Sequence, residues 1–105
     1  MADQELLEEV TRRLSRVLDG GATVILFGSH ARDEARPESD VDLLVIEPDL
    51  HGRRAERVRL RKALRGLGVP IDLIVVSEHH AKRWREVEGS LVHEAIENGR
   101  TLVGV

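Results

Sequence analysis

The chain has 105 residues, 41% of them hydrophobic and 33% charged, which suits one small core, leaves no room for a two-domain enzyme and excludes a disordered tail. It contains no cysteine, which excludes a disulfide scaffold, a thiolate zinc site and a cysteine nucleophile, and fits a reducing compartment. A net charge of −3, with Phe27 and Trp84 the only aromatic side chains, argues against direct nucleic-acid binding, since it supplies neither a strong cationic field nor a base-stacking platform.

Leu6, Leu7, Val10, Leu14, Val17 and Leu18 recur at three- and four-residue steps and predict an amphipathic helix over 2–19, with Asp3 as its N-cap and Gly20-Gly21 as its stop. The run ATVILF predicts a buried strand over 22–27; it is the longest apolar run, far short of the ~20 residues that cross a bilayer. The N-terminal segment is acidic, with no visible export signal or anchor, so a cytoplasmic protein without membrane attachment is expected. A short helix capped by Ser29 follows over 29–35 and closes before Pro37. DVDLLVI predicts a second strand over 40–46, ended by Pro48. A basic helix over 53–67 buries Leu60, Ala63, Leu64 and Leu67, and PIDLIVV predicts a third strand over 70–76. Helices over 77–87 and 90–98 each begin at a serine, Ser77 and Ser90, and 101–105 forms a terminal strand. Strands separated by helices make this an α/β domain, 1–105, without internal boundary. Strands apolar on both faces call for helices on both sides of the sheet, or for one face that meets a partner.

Three aspartates stand where strands should carry none. Asp40 and Asp42 alternate onto one face about 7 Å apart, and Asp72 joins them if the third strand lies beside the second. Gathered carboxylates repel one another unless a cation neutralises them, and a hard divalent ion with oxygen ligands, Mg²⁺ above all, is the usual solution. The alternative, aspartates that merely cap strand ends, suits a lone residue better than a trio. Gly28-Ser29 ends a strand and opens a helix, a place where backbone N–H groups, the helix dipole and a hydroxyl meet and where a phosphate binds well. Arg32 and Arg36 lie close enough in sequence to add charge to the same anion.

The resulting pattern, G-S-x10-D-x-D with a later strand aspartate, resembles the DNA-polymerase-β type of nucleotidyltransferase, most closely its minimal single-domain members, the MNT family. The stretch VILFGSHARDEARPESDVDLLVIEPD carries the likeness, including Ala31-Arg32 and the Ser39 that precedes the first aspartate. The resemblance implies a small mixed sheet with helices packed mainly on one face, and transfer of AMP from ATP to a hydroxyl with two Mg²⁺ ions. By position, Gly28, Ser29, Arg32 and Ser39 would bind the nucleotide. Asp40, Asp42 and Asp72 would be catalytic and hold the metals, with Asp72 also helping to activate the acceptor. One departure is Asp33, where relatives commonly carry glycine; it either weakens nucleotide binding or pairs with a neighbouring arginine.

Small members of this family are often antitoxins partnered with HEPN-type RNase toxins, silencing the toxin by transferring AMP to one of its tyrosines. This sequence contains no tyrosine, so such a target lies in another protein. The alternative is an inactive module of the same fold that neutralises its partner by contact alone; a drug-modifying transferase needs more acceptor-binding surface than this length provides. The arginine-rich helix over 53–65 presents a solvated face or docks an acidic partner or RNA. His30 lies next to Ser29, within reach of a phosphate, whereas His93-Glu94 lacks the second histidine of a zincin run. Trp84 and the stripe Leu91, Val92, Ala95 and Ile96 serve either a core or a partner seam.

Overall fold

The computed structural model describes residues 3–32 and 40–104. Its elements run α1 (Asp3–Val17), β1 (Thr23–Phe27), β2 (Val41–Glu47), α2 (Arg53–Ala63), β3 (Ile71–Ser77), α3 (Glu78–Trp84), α4 (Leu91–Asn98) and β4 (Arg100–Val103). Each predicted element outside the 29–35 segment is present, with ends displaced by at most four residues.

One mixed sheet forms in the order β3-β2-β1-β4. The hairpin partners β1 and β2 are antiparallel, β4 returns antiparallel along the other edge of β1, and β3 lies parallel to β2 after the α2 crossover. Alternation along the strands then divides the core in two. Val24, Leu26, Val41, Leu43, Val45, Leu73 and Val75 face α1 and α2, where they meet Leu6, Val10, Leu14 and Leu60. Ile25, Leu44 and Val76 face the other way, against Ala81 of α3 and Val92 and Ala95 of α4. The long helices therefore cover the larger core and the short ones close the smaller, which satisfies strands that are apolar on both faces.

Ser77 and Ser90 cap their helices as the sequence predicts, accepting hydrogen bonds from the His80 and His93 N–H groups at 3.0 and 3.1 Å. The helix expected to continue to residue 67 ends at Ala63; Leu64 and Leu67 still bury 96% and 92% of their surface, now from a turn that includes Gly66 and Gly68. Strand β2 runs one residue further than expected and carries Glu47 onto the buried face. The segment expected to form a helix after β1 is, over its described part, a single turn closed by Ala31 and Arg32 N–H donating to the Gly28 carbonyl at 3.2 and 3.3 Å.

Candidate active site

The parallel register sets Asp42 opposite Asp72, at the heads of β2 and β3. Both carboxylates stand on the α3–α4 face, in step with Leu44, Ile74 and Val76 of the smaller core, and Asp40 precedes β2 two residues before Asp42. Asp42 is partly buried, whereas Asp40 and Asp72 are exposed.

The end of β1 closes against the same carboxylate. Phe27 pairs with Asp42 across the β1–β2 hairpin, and the backbone at Gly28 passes so near Asp42 that a Cβ there would lie 2.3 Å from Asp42 Oδ2. Gly28 has φ +76°, a conformation that L side chains adopt at a cost, so glycine is required here twice over. Ser29 is half-buried beside it and His30 is 6% exposed.

Charge couples the members of the group, mostly by repulsion. Burial, followed by repulsion from Asp72 and Asp40, holds the Asp42 carboxyl above the usual carboxylate range, while His30 and Arg32 pull in the opposite direction. The predicted residues Gly28, Ser29, Arg32, Asp40, Asp42 and Asp72 are thus brought to one end of the sheet. Ser39 and Asp33 lie outside the described residues.

An oxygen-only donor set whose repulsion His30 and Arg32 only partly offset fits a hard divalent cation in kind. It is not a closed cage: among the described residues no three His, Asp or Glu side chains gather closely enough to enclose an ion. Mg²⁺ commonly takes only one or two protein carboxylates and completes its shell with water and substrate phosphate oxygens.

Sequence reasoning missed a second titratable cluster. Glu47 is 9% exposed at the far end of β2 and lines one cavity with Glu56 of α2; its Oε2 is buried without a hydrogen-bond partner. Burial first, then the neighbouring Glu56 carboxylate, pushes Glu47 up to about 7. Glu56 is held down at about 2, chiefly by Arg59, which donates two hydrogen bonds of 2.8 Å to its carboxylate and a third of 2.7 Å to the Val17 carbonyl at the end of α1. Two signals were available: Glu47 continues the inward alternation of Val41, Leu43 and Val45, and Glu56 lies one turn before Leu60 on the buried stripe of α2.

Acidic strand heads beside a strand–glycine–serine turn are suited to a metal-bound polyphosphate. The chain belongs to the nucleotidyltransferase domain family, whose model matches residues 4–102. Its fold is shared with chains of solved toxin–antitoxin complexes. One complex contains AMP-PNP; the matched chain is 22% identical with a TM-score of 0.70, over 94% of this chain and 73% of that one. Another is the tri-AMPylated Shewanella oneidensis HEPN toxin with its MNT antitoxin, at 21% identity and a TM-score of 0.67, over 99% of this chain and 74% of the other. A third is the MntA–HepT complex, at 21% identity and a TM-score of 0.64, over 97% and 73% of the respective chains. At these identities the likeness is one of fold. Comparison with curated proteins finds no match.

Proposed function

We propose that this nucleotidyltransferase-family domain, 1–105, transfers AMP from ATP to a tyrosine hydroxyl of a HEPN-type RNase toxin and so acts as the toxin's antitoxin. The observation that carries the reading is the pairing of Asp42 with Asp72, with the Gly28 backbone close against Asp42, which brings two carboxylates and a glycine–serine turn to one sheet end. The AMP-PNP and tri-AMPylated toxin complexes that share the fold support the choice of nucleotide and acceptor class. The absence of tyrosine from the sequence supports a target in another chain.

In this reading the Gly28-Ser29 turn, with Arg32 and Ser39, holds the triphosphate, and Asp40, Asp42 and Asp72 hold two Mg²⁺ ions. Bound Mg²⁺ supplies Lewis-acid stabilisation of the attacking and leaving oxygens. Asp72, exposed at the head of β3, receives the acceptor's proton. The acceptor oxygen bonds to the α-phosphorus, the bridge to the β-phosphate breaks, and pyrophosphate leaves with that bond's electron pair. With ATP as donor and a protein as acceptor, the reading expects a cytoplasmic reaction.

The test is incubation of the protein with ATP labelled in its α-phosphate, Mg²⁺ and a HEPN-type toxin, followed by intact-mass measurement of the toxin. Gains of one or more AMP masses are expected. The reading is overturned if no label transfers, or if the Asp40→Ala/Asp42→Ala variant labels as well as the parent.

A further inference from the structure

A groove of about 790 Å³ lies between the C-terminal half of α2 and the start of β3. Its floor is aliphatic, formed by Leu64, Leu67, Val69 and Ile71, and two of its lining positions, Gly66 and Gly68, carry no side chain to obstruct it. Along its rim Arg61, Lys62 and Arg65 lie three, four and seven residues after Val58, a single stripe on and just beyond α2. The lining contains three cations and no anion. Val58 is 49% exposed, an apolar side chain left uncovered on a helix otherwise rich in arginine.

The groove also reaches the end of the sheet that carries the candidate active site, though from the α2 face rather than the face on which the carboxylates stand. Pro70 and Ile71 line it and run directly into Asp72, and the Pro70 carbonyl accepts a 2.9 Å hydrogen bond from Val41 N–H, between Asp40 and Asp42. A molecule seated here would lie beside the heads of the strands that carry the carboxylates.

Charge and shape decide the class of occupant. A nucleic acid would match the cations, but the groove has no aromatic side chain on which a base can stack; Trp84 belongs to α3, on the opposite face of the sheet. A small molecule would find no buried polar group converging on the floor. An amphipathic helix whose apolar stripe meets Val58 and the aliphatic floor, and whose flanking glutamates or aspartates meet Arg61, Lys62 and Arg65, satisfies both features.

We propose that this groove docks an acidic amphipathic helix of the acceptor protein and thereby brings the acceptor to the end of the sheet that carries the aspartates; the acceptor's part in this rests on the transferase reading above. The probes are three fluorescein-labelled ligands: a helical peptide of about 20 residues with leucine at the apolar positions and glutamate elsewhere, its lysine counterpart, and a single-stranded RNA of similar length. Anisotropy titrations with the whole protein should show binding of the acidic peptide alone. That binding should weaken about tenfold or more in Arg61→Glu/Lys62→Glu and in Val58→Asp, and should weaken as salt rises.

Absence of acidic-peptide binding, or equal affinity for the parent and both variants, overturns the proposal, and RNA binding lost in the charge-reversed variant reassigns the face to nucleic acid. The melting-temperature rise with ATP and Mg²⁺ is measured on the same samples. If that rise persists while the peptide fails to bind, the docking proposal alone is wrong; if peptide binding follows the prediction without the rise, the transferase reading fails and the groove stands.

Discussion

Replacing Gly28 with alanine probes the contact on which the candidate active site depends. The backbone there has φ +76°, where a Cβ costs about 1–2 kcal/mol, and a domain of this size loses roughly 4–8 °C of melting temperature per kcal/mol. A fall of roughly 5–15 °C is therefore expected from conformation alone. The added Cβ would also stand 2.3 Å from Asp42 Oδ2, against a 3.0 Å floor for real contacts, so the carboxylate must retreat by about 0.7 Å. Because that oxygen ends a flexible side chain, the retreat costs little stability but misplaces a proposed metal ligand. A displacement near 1 Å costs up to about 100-fold in rate, so AMP transfer should fall roughly 10- to 100-fold and the thermal response to ATP with Mg²⁺ should shrink. Gly89→Ala is the control, since Gly89 has φ +86° and open space around its Cβ position. It should show a comparable fall in melting temperature with full nucleotide response. If Gly28→Ala responds to nucleotide as Gly89→Ala does, the Gly28–Asp42 contact has no functional role.

Further outcomes follow from the carboxylates and the core. Glu47 has a folded value of about 7 against an ordinary 4.5, so the folded state binds the extra proton and stability falls as pH rises from about 4.5 to 7, then levels off. Glu56, at about 2 in the fold, contributes stability that is present above 4.5 and lost as pH falls toward 2. Melting temperatures measured from pH 4.5 to 8 should show a shallower decline in Glu47→Gln than in the parent, and equal declines would refute the raised Glu47 value. Asp42→Asn removes a buried, repelled charge, so it should melt a few degrees higher than the parent in EDTA while losing the response to ATP with Mg²⁺. Leu43→Ala, at a fully buried position of the larger core, should cost about 2–5 kcal/mol in denaturant unfolding.

The strands were legible because their residues are apolar on both faces, and the serine caps because Ser77 and Ser90 stand directly before apolar helical patterns. Of the candidate site, alternation along β2 gave the shared face of Asp40 and Asp42, but the place of Asp72 depended on β3 pairing with β2, which local pattern does not reveal. Periodicity carried α2 too far because Leu64 and Leu67 continue its apolar stripe; burial depends on where a side chain ends, and a turn can deliver it as well as a helix. Glu47 and Glu56 escaped notice because charge was read as exposure, although both occupy inward positions of their elements. The groove beside α2 was invisible for a further reason: its floor is made by residues of a turn and a strand that meet only in the folded chain.

The parallel register of β2 and β3 gives the larger core a second task. A one-residue slip between these strands would turn Asp72 toward α1 and α2 and place Leu73 on the side where the carboxylates stand. Leu73 and Val75, 3% and 1% exposed, oppose that slip because both would have to leave the apolar layer they occupy. The alignment of the two acidic side chains is thus measured out by leucine and valine on the reverse of the sheet. Substitutions in that layer can disorder the chemistry at a distance, by loosening the ruler against which the aspartates are set.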